Sequence, residues 1–469
     1  MCSRTRPRCS RRCGTRKPDQ RRSALIRRAM ARSGTVSSLR NARRDVPAAS
    51  GLRRCRLSRT RPRWIRNLLF AGACLGLANP LAAQSRMPPA DPQLGDGGTG
   101  AFYQWDGDVP TGAPRIVRRE AMAPDKALAQ AGSSERVLYT SRGGPDGTRS
   151  IVVSGGVYLP RGLPPRGGWP VIAWAHGTVG FPDICAPSFN GWSARDTAYL
   201  NTWLQQGYAV VASDYEGLGT NGAHPYMMSR SEGQGVLDAV LAARKRYPLS
   251  RNVVLVGQSQ GAHAATNAAL MQSGVARTLR LRGVVLTGWP GSMEMSALDM
   301  QKFDGWAALY MRFLPTYAFL DAAVRPQAML TPAGQALYER FRSTCGSDAM
   351  RQFMVDRPVA GTLFSKDPSP LEANAQPYRA YPPLRFSVPV FVGIGLSDEQ
   401  TAPRQAFDAA RKACAMGSNV AIHLYPGQGH GATVAKSQED SLSWVHHVFE
   451  GRVPKGNCDE AVFPSAATP

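Results

Sequence analysis

Gly257-Gln258-Ser259-Gln260-Gly261 constrains this chain more than any other stretch. Before it runs Asn252-Val253-Val254-Leu255-Val256, a short β-branched apolar segment. After it, Ala262 to Met271 is rich in alanine and free of proline and glycine. Strand, tight turn and helix in that order are the context in which G-x-S-x-G becomes a nucleophile elbow. Such a turn holds its serine in a strained backbone conformation, and the positions two residues away on either side must be nearly free of side chain. Oγ is thereby pushed outward. The amide of Gln260 starts the helix facing the same point and supplies one half of an oxyanion hole. A glycine-rich turn with a capping serine shares the pentapeptide, so the rest of the chain has to decide between the two.

A serine of this kind works with an acid and a histidine that follow it, in that order, on loops after later strands. Seven histidines are present. His176 and His224 precede the serine, and His263 lies too close behind it to fold back. His423 falls in the alternating run Val420 to Tyr425, and His446 and His447 in a helix-like segment from Lys436 to Glu450. His430 remains, in Pro426-Gly427-Gln428-Gly429-His430-Gly431 between a strand and a helix, where a general base belongs. For the acid, Ser387 to Gly395 reads as a buried strand, and Leu396-Ser397-Asp398-Glu399 follows it. Asp398 is the choice, placed to accept the Nδ1 proton of the histidine. Glu399 is the alternative, and for either the plainer role is capping the helix that begins near Pro403. The second oxyanion donor is expected in the loop after an early strand, here His176-Gly177-Thr178 after Trp169 to Ala175, with the Thr178 amide as the candidate.

The net charge of +24 would suggest a nucleic-acid partner. Its distribution argues otherwise, because residues 1–66 hold 22 Lys and Arg against Asp19 and Asp45 and carry +20 of it. The other 403 residues carry only +4. A disordered arm that binds RNA or a membrane is one reading of this leader. We instead read residues 1–60 as a disordered basic leader outside the mature protein, with the true start downstream of Met1, at Met30 or a later non-Met start codon. Residues 61–83 then form a signal peptide. Arg61, Arg63 and Arg66 precede an apolar run from Leu68 to Ala78, followed by Asn79-Pro80 and the small residues Ala82-Ala83. That run is too short to span a bilayer as a mature helix. The expected location is secreted or periplasmic, with cleavage after Ala83.

Four cysteines lie beyond that point: Cys185, Cys345, Cys414 and Cys458. An even number in an oxidising compartment predicts two disulfides, with three connectivities open. The absence of a C-x-x-C or a Cys/His cluster argues against a metal site, and the chemistry above calls for no organic cofactor. Strand-like Ser150–Leu159, Trp169–Ala175, Tyr208–Ser213 and Leu281–Thr287 alternate with helix-like Ala194–Gln206 and Ser231–Tyr247, the latter starting at a capping Ser231. This alternation predicts an α/β fold: a mostly parallel central sheet with helices on both faces. Gln84 to about Gly132, rich in Pro, Gly, Asp and Ala, reads as a surface wrap. Residues 84–288 and 384–469 form the expected core. Residues 289–383 break the alternation with helices at Gly305–Val324 and Pro332–Arg342 and are expected to be a helical cap. Its Trp306, Tyr310, Met311, Phe313, Tyr317 and Phe319 would line an apolar pocket or pack inward.

Several motifs together carry a family resemblance: Trp174-Ala175-His176-Gly177-Thr178, Cys185-Ala186-Pro187-Ser188, Asp214-Tyr215-Glu216-Gly217-Leu218-Gly219, His224-Pro225-Tyr226, the elbow, and the loops at Asp398 and His430. From about Ser150 to Cys458 the chain resembles the secretory lipase family of α/β-hydrolases, bacterial members included. The resemblance implies an α/β-hydrolase fold, a Ser259–Asp398–His430 triad, a helical cap after the elbow, and disulfides pairing Cys185 with Cys345 and Cys414 with Cys458. It departs at the elbow, where Gln258, Gln260 and Ala262 stand and bacterial relatives often carry a further glycine. The expected activity is hydrolysis of a small-molecule ester or lipid through an acyl-enzyme on Ser259, with the amides of Gln260 and Thr178 as oxyanion donors. Rival readings are an aryl- or feruloyl-type esterase, an amide hydrolase on the same triad, and a non-catalytic binding protein of this fold.

Overall fold

The computed structural model of the protein describes residues 86–293, 304–346 and 363–464; side chains are described from residue 311 on in the second of these segments. The predicted leader and signal segment lie outside the described residues, as do the side chains of Trp306 and Tyr310.

One nine-stranded sheet organises the described chain. Its strands are β1 (Ile116–Ala121), β2 (Ala131–Gly143), β3 (Arg149–Pro160), β4 (Trp169–Ala175), β5 (Ala209–Ser213), β6 (Leu249–Gln258), β7 (Arg280–Thr287), β8 (Val390–Gly395) and β9 (Val420–Tyr425). They lie in the order β1-β2-β3-β5-β4-β6-β7-β8-β9. The pairings from β1 through β3 to β5 are antiparallel, and those from β5 through β4 to β9 are parallel. The predicted surface wrap therefore contains a strand, β1, and runs into β2. Both were hidden in the sequence because Arg118, Arg119, Glu120, Ser133, Ser134, Glu135 and Arg136 give edge strand β1 and its neighbour β2 a polar stretch without an apolar period.

The parallel strands are near-continuous apolar runs because helices cover both faces. Along β6 the pleat sends Val253 and Leu255 into one core with Val236, Leu237, Ala265 and Phe407. It sends Val254 and Val256 into the other with Leu200, Trp203, Trp444 and Val445. The first group comes from α3 (Ser229–Arg244), α4 (Gln260–Val275) and α8 (Pro403–Ala415). The second comes from α2 (Ala194–Gln205), which follows the short α1 (Pro187–Asn190), and from α10 (Gln438–Phe449). The helix expected to start at a capping Ser231 begins earlier, with Met228 as N-cap. Ser231 lies inside it and donates its hydroxyl to Glu216 Oε2 at 2.6 Å. The helix expected from Lys436 onward is two, α9 (Ala432–Lys436) and α10, broken at Ser437.

Between β7 and β8 stand α5 (Asp304–Leu320), α6 (Pro332–Ser343) and α7 (Ser369–Arg379). Met311, Phe313 and Tyr317 are at most 1% exposed and pack in one cluster with Tyr338, Phe341 and Leu363 of the insertion and with Phe181 and Tyr226 from outside it, whereas Phe319 is half-buried. Inside it, a buried Arg379–Glu372 ion pair sits under Phe313, with the guanidinium carbon 4.2 Å from the ring centroid, and Tyr317 donates to Glu372 at 2.7 Å. The disulfides join Cys185 to Cys345 and Cys414 to Cys458, the pairing the resemblance implied. Among the described residues no helix is long and apolar enough to cross a membrane.

Candidate active site

Parallel strands put their carboxyl ends on one edge of the sheet, where open α/β sheets hold their ligands. The candidate residues all follow such ends: Thr178 after β4, Ser259 after β6, Asp398 after β8 and His430 after β9.

Ser259 has φ 56° and ψ −120°, a conformation that an L-residue adopts at a cost of about 1–3 kcal/mol and only where its surroundings enforce it. The enforcement is steric and hydrogen-bonded. A Cβ at Gly257 would collide with the Gly261 carbonyl, and a Cβ at Gly261 with the Ala175 carbonyl, so neither glycine is replaceable. Ser259 N donates to Thr287 O at 3.0 Å, pinning the turn to the end of β7. Gln260 is the first residue of α4, so its N–H has no partner within the helix. The loop after β4 lies against this turn: Gly177 abuts Gln258, and Thr178 Oγ1 shares a hydrogen bond with Tyr226 Oη at 2.6 Å.

The structure brings Asp398 and His430 together, with Nδ1 donating to Oδ2 at 2.8 Å. Two backbone bonds join their loops, Leu396 N to Tyr425 O and Ser397 N to Gln428 O. Asp398 is buried and also accepts from the amides of Gln400 and Thr401 at 2.8 and 2.9 Å and from the Thr401 hydroxyl at 2.8 Å. Burial pushes this carboxyl up. The bond from His430, its charge and the Thr401 donors outweigh that and hold it below the ordinary carboxylate range. Glu399, the alternative, is exposed. Asp398 does not cap the following helix, whose N-cap is Ala402. Gly288, at φ 52°, makes room for the imidazole, because a Cβ there would stand 2.7 Å from His430 Cε1.

Among the described residues no hydrogen bond joins Ser259 Oγ to His430. Nε2 of the imidazole accepts instead from Gln258 Nε2 at 3.0 Å, and Gln258 Oε1 accepts from Arg195 Nη2 at 3.3 Å. Arg195 is paired with Asp196 at 2.7 Å. Sequence reading noted Gln258 only as a departure from the family pattern and missed Arg195 and Thr401. A polar side chain flanking an elbow serine was the one available signal. His176, set aside by its place in the chain, is fully buried. Burial pushes its pKa down to about 4, and Nδ1 donates to Gly177 O at 2.8 Å. Among the described residues no cluster of three or more His, Cys, Asp or Glu side chains could hold a metal ion.

A parallel-centred sheet with this strand order, covered on both faces and carrying a strained serine between β6 and α4, defines the α/β-hydrolase fold class. Lipase A of Candida antarctica superposes with a TM-score of 0.60 at 20% identity, covering 76% of this chain and 86% of that one. The rice cell wall degrading esterase LipA of Xanthomonas oryzae gives 0.54 at 19%, covering 72% and 98%. Within that class the secretory lipase family model matches residues 192–457, and the chain belongs to this family. Lipase A of Moesziomyces aphidis is 27% identical over 305 residues, 58% of this chain. The match spans 64% of that relative's length, just under two thirds.

Proposed function

We propose that this protein is an exported carboxylic ester hydrolase in which Ser259 is the nucleophile, His430 the general base and Asp398 the carboxylate that orients it. One observation carries the reading: His430 Nδ1 donates to Asp398 Oδ2 at 2.8 Å, leaving Nε2 as the ring's acceptor beside an elbow whose serine has φ 56°. Ser259 Oγ attacks the ester carbonyl carbon while its proton passes to Nε2. The C–O bond to the alcohol then breaks, and the imidazolium returns the proton to the departing oxygen. Water gives a proton to Nε2 as its oxygen attacks the acyl carbon; the bond from that carbon to Oγ then breaks, and the imidazolium returns the proton to Oγ as the acid leaves. The amides of Gln260 and Thr178 hold the oxyanion, each contributing roughly 3 kcal/mol. These side chains complete the cycle without a metal or organic cofactor.

Residues 289–383 act as a cap over the site in this reading, since they enter the chain between the serine and the acid. Export follows from the segment 61–83, and the two disulfides support an oxidising destination. The substrate class is a small-molecule ester or lipid, as the name lipase A of the curated relative suggests. The test is Ser259→Ala, which should abolish p-nitrophenyl ester hydrolysis and fluorophosphonate labelling with an unchanged melting temperature. Retained turnover ends the proposal. An acyl-length series with aryl esters and anilides beside it separates lipase, aryl esterase and amidase.

A further inference from the structure

Behind the elbow lies a polar cluster that the reaction above does not use. Glu232, His224 and His263 are wholly buried and Gln260 is 1% exposed. A carboxylate this deep is tolerated only when its oxygens are fully engaged. Glu232 Oε1 accepts from Gln260 Nε2 at 2.8 Å and from Met227 N at 2.9 Å, and Oε2 accepts from His263 Nδ1 at 2.9 Å. Gln260 Nε2 also donates to His224 Nε2 at 3.0 Å, and His224 Nδ1 donates to Glu216 O at 2.8 Å. Both hydrogens of the Gln260 amide are therefore committed, one of them to a charge. Met227 itself sits at φ 61°, a strained position for a non-glycine residue, and its amide is held by the same carboxylate.

Gln260 is the residue whose backbone N–H faces the oxyanion in the proposed mechanism. An oxyanion donor acts through preorganisation, so its peptide must already be aimed before charge develops. We propose that Glu232 is a positioning residue that fixes the Gln260 peptide by gripping its side chain from behind, with His224 as the second point of the grip. The inference rests on the hydrolase reading above. It also explains why the insertion's exit meets the cluster. His263 Nε2 lies 3.0 Å from Arg379 O, and Ser229 Oγ shares its hydrogen between Arg379 O and Ala380 O at 2.9 and 3.1 Å, so the chain returning from α7 is fastened to the same anchor.

The experiment uses Gln260→Met, which keeps the backbone N–H and the side-chain length but removes both donors, with Glu232→Ala, the double variant and Glu232→Gln. Each is measured for kcat and KM on a p-nitrophenyl ester and for Ki of an alkylboronic acid, whose serine adduct is tetrahedral and anionic. Misaiming one oxyanion donor should lower kcat about tenfold in Gln260→Met and in Glu232→Ala and raise the boronate Ki in step, with KM within about twofold. The double variant should lose no more than the worse single, because both break one contact. Glu232→Gln retains an acceptor for Gln260 and should restore most of kcat. Multiplicative losses in the double variant, or wild-type kcat and Ki in Gln260→Met, overturn the proposal. If Glu232→Ala fails to fold, Gln260→Met and Glu232→Gln decide it alone. Wild-type protein that fluorophosphonate does not label at Ser259 would overturn the triad reading instead, which keeps the two failures apart.

Discussion

Gln258 and His430 meet side chain to side chain, the amide Nε2 donating to the imidazole Nε2 at 3.0 Å. That acceptor is the one the proposed mechanism needs for the proton of Ser259, because Nδ1 is committed to Asp398. In that reading the proposed base is occupied at rest by the residue beside the proposed nucleophile, with Arg195 steadying the far end of the amide at 3.3 Å. Catalysis requires the amide to give way. A neutral hydrogen bond of this kind is worth about 1 kcal/mol net, so the brake it applies is at most about fivefold. Gln258→Met keeps the volume and removes the donor. It should raise kcat/KM and the rate of fluorophosphonate labelling by up to about fivefold, read by steady-state and inactivation kinetics. A tenfold loss in both would show that Gln258 holds the imidazole in its working orientation.

The parts of this site legible in the sequence are those that local pattern dictates. The β6 run, the paired glycines and the alanine-rich helix made Ser259 readable, and Asp398 and His430 each follow an apolar strand at the sheet's carboxyl edge. Partners chosen by tertiary contact left no such trace. Glu232 is one acid in a helix otherwise read from its apolar period, and only the approach of α3 to α4 sets it against Gln260 and His263. The contact between Gln258 and Arg195 likewise joins residues 63 apart. The aromatics of α5 were ambiguous for a related reason. A helix rich in Phe, Tyr and Met reads alike whether it lines a pocket or packs inward, and here Met311, Phe313 and Tyr317 pack inward while Phe319 stays half-buried beneath the Arg149 guanidinium.

The Cys185–Cys345 bond ties the loop after β4 to the end of α6 across a sequence separation of 160. It is a covalent tie between the sheet and the insertion. Long loops gain most from closure in the chain-entropy picture, and such bonds typically contribute 2–4 kcal/mol, about the scale expected here. Replacing both cysteines with alanine avoids a free thiol. The double variant should lose about 2–4 kcal/mol in urea denaturation, and dithiothreitol should have a smaller further effect on it than on the parent. An unchanged midpoint would mean that packing alone holds the insertion in place.

Asp183 accepts from Gly97 N at 2.8 Å and is 1% exposed. Burial, with the nearby Asp96 carboxyl adding to it, pushes its pKa from 3.8 up to about 7. Below about pH 4 the group is protonated in the folded and the unfolded chain alike. Between there and about pH 7 the folded protein keeps a proton that the unfolded chain has released, so stability falls as pH rises through this window. Above it the whole deficit is present, at most about 4 kcal/mol at roughly 1.4 kcal/mol per unit. Asp183→Asn keeps an acceptor for Gly97 and removes the titration. It should stabilise the protein by about 1–3 kcal/mol at pH 8 and by much less at pH 4.5, measured by urea denaturation at both. A gain of equal size at the two pH values would locate its origin in packing rather than in the buried charge.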